Sequence, residues 1–254
     1  MYRYAAISDI GPEFQTNDDR ILIGNTLLHE GKISGISNES FLAAGVADGV
    51  GGLQMGYKAA EIALEYFSEL NKPGIERTDI RNSVENANDA IISTQNAWQK
   101  PDGLRTTLAA VYLSDCSSYI INAGDSRVYR LRNGKLECLS KDHSVVQNLV
   151  DSGDISEEEA FYHPQKNVIT KCLGNEERVN ARIIDISGEV FENDLFLICS
   201  DGIADCIKNN DLEGIILDNS RKSIMEICEI MVQKALTNGS TDNISVCLIR
   251  KEAD

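Results

Sequence analysis

Phe41-Leu42-Ala43-Ala44-Gly45-Val46-Ala47-Asp48-Gly49-Val50-Gly51-Gly52 is the stretch around which the chain is organised. The small or apolar run from Phe41 to Ala47 reads as a buried strand, since it is too short for a helix of its own. It runs straight into Asp48. Gly49, Gly51 and Gly52 then free the backbone to turn sharply and to bring main-chain carbonyls close to a ligand. Asp48 is thus held on a rigid strand end, with the Gly49 carbonyl beside it as a second oxygen. One carboxylate and one adjacent carbonyl make half of a hard-cation site. Asp-Gly also closes ordinary turns, so the reading depends on what the other strand ends carry.

Toward the N-terminus, residues 2–8 form a first strand that leads into the turn Ser8-Asp9-Ile10-Gly11-Pro12. Asp18 and Asp19 follow, at the mouth of a second strand that begins with Ile21-Leu22-Ile23. On the other side of the glycine loop, Ala59, Ile62, Ala63, Tyr66, Phe67 and Leu70 recur at helical spacing, and Lys72-Pro73-Gly74 stops that helix. Ile80, Val84, Ala87, Ile91 and Trp98 mark a second helix, and both stripes are core faces. The segment from Gly51 to Lys58 is not a phosphate-binding loop, because Tyr57 stands where a Lys must be and Lys58 where a Ser or Thr must be.

From Thr106 onward the pattern is β-rich, with strands at 107–113, 118–122 and 128–131. Asn133-Gly134 signals a type I′ hairpin into residues 135–139. Gly124 places Asp125 at a strand junction inside this meander. Residues 140–180 are more polar, with a short helix at 145–150 and a capping box at Ser156-Glu157-Glu158-Glu159. They read as an insertion, a flap lying over the sheets. The grammar of the opening stretch returns at residues 195–202, an apolar strand followed by Ser200-Asp201-Gly202, with Asp205 on a first helical turn. Ser223 caps a last helix with Ile227, Met231 and Ala235 inward, and Asp242 precedes a strand at 244–249.

The net charge of −16 speaks against nucleic acid and anionic membranes as partners, since both need a positive surface. Seven cysteines, odd in number and without a Cys-x-x-Cys, indicate neither a disulfide framework nor a zinc site. With only three histidines in the chain, the strand-end carboxylates favour an all-oxygen site, which suits Mg²⁺ or Mn²⁺. There is no apolar leader and no membrane-length run, which points to the cytoplasm. No repeat or linker divides the chain, so residues 1–254 read as a single domain of α+β class.

In order and spacing, Gly11 to Asp19, Asp48-Gly49-Val50-Gly51-Gly52, Thr106-Thr107, Gly124-Asp125-Ser126-Arg127, His163-Pro164 with Asn167 to Thr170, Ser200-Asp201-Gly202 and Asp242-Asn243 form one set. The chain resembles the metal-dependent serine/threonine protein phosphatases of the type-2C (PPM) family, in detail their bacterial branch. The resemblance covers nearly the whole chain. It implies a four-layer αββα sandwich, two antiparallel sheets face to face with helices outside, and two metal ions, Mn²⁺ or Mg²⁺, at one end. By motif, Asp48 would bridge both ions, Asp201 and Asp242 would complete the first, and Asp18 with the Gly49 carbonyl the second. Asp19 would stand in the outer shell, and Asp125 with Asp205 match a third ion. The implied reaction is in-line attack on phosphoserine or phosphothreonine of proteins by a water or hydroxide that bridges the ions, without a covalent intermediate. The cysteines are then core residues, and a cognate serine/threonine kinase is the implied counterpart.

Four positions depart from the family pattern. Val50 stands where eukaryotic members carry a His that protonates the leaving oxygen. Asp18 replaces the usual Glu. Phe14 occupies the place of an Arg that grips the substrate phosphate, and Phe cannot supply that charge-assisted hydrogen bond. Arg105, where the family has a Gly, is the candidate replacement. The rival readings are a phosphatase fold kept as a non-catalytic binding module and a phosphatase acting on small molecules.

Overall fold

The computed structural model describes residues 1–50, 55–99 and 103–252. Gly51 and Gly52 of the opening stretch lie outside the described residues. The run Phe41–Ala47 is a strand, β5. Leu42, Ala44 and Val46 enter one apolar layer, while Ala43 and Ala47 enter another. Burial on both faces is why the run is continuously apolar.

Around β5 lie β2 (Arg20–Ile23), β3 (Thr26–Leu28), β6 (Leu108–Ser114), β7 (Tyr119–Ala123) and β10 (Arg182–Asp185), a six-stranded sheet in the order β10-β7-β6-β5-β2-β3. A second six-stranded sheet holds β1 (Tyr2–Asp9), β4 (Gly31–Ser37), β8 (Arg127–Arg132), β9 (Lys135–Cys138), β11 (Leu195–Cys199) and β12 (Ile244–Lys251), in the order β4-β1-β12-β11-β8-β9. Every pairing is antiparallel. The β8–β9 hairpin turns through Asn133 and Gly134 at φ 52° and 78°, the conformation that a type I′ turn requires.

Three apolar layers hold the sandwich. Val46, Val111, Val128, Phe196, Ile198 and Cys247 are among the residues between the sheets. Helices α1 (Gly56–Ser68) and α2 (Arg77–Ala97) cover the β5 sheet through Leu64, Phe67, Ile80 and Ile91. Helices α6 (Asn209–Asp218) and α7 (Ile224–Thr237) cover the other through Leu212, Ile216, Ile227 and Met231. This is the expected four-layer αββα arrangement. Between residues 140 and 180 lie α3 (Val145–Ser152) and α4 (Glu157–Phe161), each begun by a Ser whose hydroxyl accepts a backbone N–H. None of the described helices is long and apolar enough to cross a membrane.

β3, β4, β10 and α6 have no counterpart in the sequence reading. β4 is an edge strand, Gly-Lys-Ile-Ser-Gly-Ile-Ser, largely exposed and held by its pairing with β1. Such a strand takes its stability from its neighbour rather than from its own pattern.

Register decides which loops meet. Ala47, the last residue of β5, lies opposite Arg20, the first of β2. Cys199 at the end of β11 lies opposite Val246 near the start of β12, and Asp9 at the end of β1 lies opposite Ile244. The segments carrying Asp18, Asp19, Asp48, Asp201 and Asp242 therefore leave the two sheets at the same end.

Candidate metal centre

Main-chain hydrogen bonds fix the Asp48 backbone. Its N–H donates to Thr107 Oγ1 at 3.0 Å, and its carbonyl accepts from Thr107 N at 2.8 Å and Thr106 Oγ1 at 2.9 Å. The Gly49 N–H donates to the Asp18 carbonyl at 3.3 Å, which joins the β5 end to the loop before β2. A methyl group on Gly49 would fall 2.3 Å from the Gly56 carbonyl carbon. Only glycine lets the start of α1 approach this closely. Gly56 is a site-building residue that the sequence reading missed, because its partner lies across a loop.

Asn243 organises the other side. Its Oδ1 accepts from Asp18 N at 2.8 Å, and its Nδ2 donates to the Ile10 carbonyl at 2.7 Å. Gly11, at φ 72°, lies on the Asp242 carbonyl so closely that a Cβ would stand 2.0 Å from it. Gly202 is pressed in the same way against the Asn243 carbonyl, where a Cβ would stand 2.1 Å away. Asp201 opens the short helix α5 (Asp201–Ala204), and Asp205 is its C-cap.

Asp19 is the most tightly held carboxylate of the group. It is 1% exposed, and its Oδ2 accepts from Ser200 Oγ at 2.9 Å. Ser200 in turn accepts from Ser245 N, and Ser245 Oγ meets Ser8 Oγ at 3.1 Å, so the turn after β11 together with β12 and β1 backs this carboxylate. Arg20 lies beneath. Its Nη1 donates to the Asn17 and Asp19 carbonyls at 2.7 and 2.6 Å, and its guanidinium sits 5.5 Å from the Tyr57 ring centroid. Asp18 is less buried, its Oδ1 accepting from Tyr57 N at 3.3 Å.

The electrostatics are those of acids crowded out of water. Burial, then the charges of Asp19, Asp201, Asp242 and Asp125, holds the Asp48 carboxyl well above the usual range. Burial, then Asp125, Asp242, Asp205 and Asp19, does the same for Asp201. Burial pushes Asp19 and Asp125 up to about 7, and Asp18 and Asp242 are raised as well. Each of these carboxyls thus bears on others across the two sheets. Asp201 Oδ1 is buried and has no hydrogen-bond partner. A buried acceptor without a donor, among like charges, is the arrangement that a cation relieves. Among the described residues, no three acidic, His or Cys side chains are gathered closely enough to hold an ion as they stand. Bare carboxylates repel, and neutralising that repulsion is what a hard dication does. The oxygen-only donor set fits Mn²⁺ or Mg²⁺ and offers nothing that favours zinc.

Gly124, at φ 109°, passes so close to Thr107 that a Cβ would fall 2.6 Å from its methyl carbon. Thr107 Oγ1 also meets Ser126 Oγ at 2.7 Å, which ties the Asp125 loop to Asp48. His143 is bound to the same loop: its backbone N–H reaches the Gly124 carbonyl at 2.8 Å, and its Nδ1 accepts from Gly124 N at 3.2 Å. Burial lowers the imidazole to about 4, so at neutral pH it has no proton to spare as an acid. Val50 donates its backbone N–H to the Arg105 carbonyl at 3.0 Å, which places the Arg105 backbone beside the Asp48 turn. Phe14 is 42% exposed, in the loop before β2. All seven cysteines are free, and Cys199, Cys228 and Cys247 are buried with thiols pushed upward, as befits core residues.

A family model described as protein phosphatase 2C matches residues 30–240. The chain is 33% identical over 215 residues to the serine/threonine phosphatase stp of Listeria monocytogenes, covering 82% of this chain and 83% of that one. In three dimensions it is similar to the serine/threonine phosphatase Stp1 from Staphylococcus aureus, with TM-score 0.85 and 26% identity over 100% of this chain and 96% of the other. It is likewise similar to the catalytic domain of the serine threonine protein phosphatase PstP in complex with two manganese ions, with TM-score 0.80 and 26% identity over 99% of both chains.

Proposed function

The chain belongs to the protein phosphatase 2C family, and from that premise we propose that it removes phosphate from phosphoserine and phosphothreonine in proteins, using Mn²⁺ or Mg²⁺ held by the strand-end carboxylates. The observation that carries this reading is the buried, unpartnered Asp201 Oδ1 facing the repulsion of Asp125, Asp242, Asp205 and Asp19. Asp48, Asp201 and Asp242 would hold one ion. Asp48, Asp18 and the Gly49 carbonyl would hold the second, with Asp19 fixed behind them by Ser200. Asp125 and Asp205 make the adjoining third-cation position. Two such ions, when bound, supply Lewis acidity toward phosphoryl oxygens and a nucleophile at neutral pH.

The chain's own residues do the rest. Thr106 and Thr107 hold the Asp48 main chain from one sheet, and Asn243 holds the Asp18 loop from the other. The ligand geometry is therefore set by backbone bonds rather than by the flexible carboxyls. Position 50 offers no side-chain proton, and the neutral His143 does not replace it. The physiological counterpart is a serine/threonine kinase that places the same phosphates, and the shared compartment is the cytoplasm. The reading is tested by phosphate release from phosphoserine and phosphothreonine peptides by the Mn²⁺-loaded protein. Release from small phosphate esters alone would make it a small-molecule phosphatase. Release from neither would make it a binding module.

Substrate grip is the part that this chain handles in its own way. A charged hydrogen bond to phosphate is worth roughly 1.5–3 kcal/mol, or about 10- to 100-fold in affinity. With Phe14 unable to make it, Arg105, whose backbone lies beside the Asp48 turn, is the residue that takes over. Arg105→Ala should raise KM for phosphopeptides by about 10-fold or more while kcat changes less. Phe14→Arg should lower KM several-fold by restoring a second grip. Steady-state kinetics on both variants check this, and an unchanged KM in Arg105→Ala removes Arg105 from the phosphate.

A further inference from the structure

The stretch between α4 and residue 168 is bound to the acidic end of the sandwich by two lysines, one from each side. Lys166 reaches out of the flap. Its Nζ lies 3.1 Å from Asp205 Oδ2 and 3.2 Å from the Asp205 carbonyl oxygen, so it grips both the side chain and the backbone of one residue. Lys208 reaches the other way, from the N-cap of α6. Its Nζ stands 5.5 Å from the Phe161 ring centroid, 5.0 Å from that of Tyr162 and 3.5 Å from Glu158 Oε1. The Lys166 ammonium also faces Phe161, at 5.8 Å. The Phe161 ring therefore faces two ammonium groups within about 6 Å of its centroid, a cation–π arrangement that holds the end of α4.

Asp205 is the residue through which this flap contact meets the metal centre. It follows Asp201 by one helical turn and donates its backbone N–H to the Asp201 carbonyl at 2.8 Å. Its charge is felt by Asp125, Asp201 and Asp242. A cation placed on Asp205 is thus placed against the Asp125, Asp201 and Asp242 part of the acidic cluster. In this structure that cation is part of the chain.

We infer that Lys166 serves as the cation of the third position, so that the protein works with two divalent ions and its own ammonium instead of three ions. The inference rests on the assignment of Asp125 and Asp205 to that position. An ammonium supplies one positive charge and three donors, enough to offset Asp205 but not to draw in Asp125 as a dication would. It also couples charge to shape. Because the ammonium comes from residue 166, filling the position closes the flap on the α5 end whether or not free metal is abundant. A third dication would have to displace the lysine and release that contact.

The test counts bound metal and watches the flap. Mn²⁺ binding is followed by calorimetry and by electron paramagnetic resonance, and backbone hydrogen exchange is followed over residues 156–168. The unmodified protein should bind two Mn²⁺ into the millimolar range and keep the flap equally protected at all Mn²⁺ concentrations. Lys166→Gln should acquire a third Mn²⁺, at least tenfold tighter than any third binding in the unmodified protein, with flap protection that now depends on Mn²⁺. Lys166→Arg, which keeps the charge, should stay at two. Two ions in both the unmodified protein and Lys166→Gln would overturn the proposal, since nothing was being excluded. Three ions bound alike in both would also overturn it, leaving Lys166 in a surface ion pair. Adding Asp205→Asn to Lys166→Gln separates the two layers of the argument. Loss of the third ion supports Asp205 as its ligand. A third ion retained in the double variant shows that the underlying assignment failed. Melting temperatures of all variants confirm folding, and Lys166, about one-third exposed, is a position where substitution leaves the core intact.

Discussion

Asp201→Asn is expected to cut phosphatase turnover by about a thousandfold without lowering the melting temperature of the metal-free protein. The two halves of this expectation have one cause. Asp201 is half-buried with its Oδ1 out of reach of water, and desolvation together with Asp125, Asp242, Asp205 and Asp19 drives its carboxyl well above the usual range. In the absence of metal its charge is a burden, and an amide of the same shape relieves it. In the presence of metal the same charge is a ligand. Residues that merely orient metal ligands are worth about 10- to 100-fold, so loss of a ligand charge from one of the two ions should cost about ten times more. Mn²⁺ should also raise the variant's melting temperature less than it raises that of the unmodified protein, because stabilisation by a ligand follows its affinity. Turnover is read by phosphopeptide assay and stability by calorimetry with and without Mn²⁺. An Asn variant that melts early but keeps full specific activity would make Asp201 a turn residue and remove it from the centre.

How much of this could be read in the chain depends on what each element owes to local sequence. The strands at 41–47 and 195–199 could be read to the residue, because both are buried on both faces and end at an Asp-Gly pair. Helices α1, α2 and α7 showed through their apolar stripes, and α4 through its capping box. The elements that escaped are those whose stability comes from elsewhere. α6 has only Leu212 and Ile216 fully inward and no side-chain cap, so its pattern is weak. β10 is four residues long with Ile183 alone buried, and it exists because β7 offers it an edge. The metal centre divides in the same way. Its carboxylates stand at strand ends and could be listed in advance. What could not be foreseen are the contacts that make their convergence possible: Gly56 against Gly49, Gly202 against Asn243, Ser200 behind Asp19, Arg20 under the Asn17 and Asp19 carbonyls. Each joins a partner across a loop or distant in sequence, or bonds a side chain to main-chain carbonyls, and none of these leaves a periodic trace. The flap is the extreme case. Lys166 in a polar stretch is indistinguishable from any solvated lysine until Asp205 is found beside it.

Removing the metal should abolish activity and, in addition, leave a protein whose stability falls as pH rises. Exhaustive chelation should take turnover to background, with Mn²⁺ or Mg²⁺ restoring it and zinc failing to, since the donors are hard oxygens. The pH behaviour follows from the carboxyls. In the folded protein Asp19 and Asp125 are raised to about 7, burial being the largest cause in both. In the unfolded chain they return to the ordinary value near 4. Between about pH 4 and about pH 7 the folded state therefore holds more protons than the unfolded state, and stability declines through that window. The contribution is fully present below about pH 4 and lost above about pH 7, the reverse of a salt-bridged aspartate. Keeping one such carboxyl ionised in the fold costs up to about 4 kcal/mol, and for a chain of this size a loss of that order lowers the melting temperature by roughly 10 °C. Metal inverts the dependence, because ions bind the deprotonated ligands and release protons as they do so. The Mn²⁺-induced rise in melting temperature should hence be small at pH 5 and large at pH 8, and proton release on Mn²⁺ binding should be measurable by calorimetry in buffers of different ionisation enthalpy. A metal-free melting temperature that stays level or climbs from pH 5 to pH 8 would mean that these carboxyls are not crowded together in solution, and the case for a strand-end metal centre would fall with it.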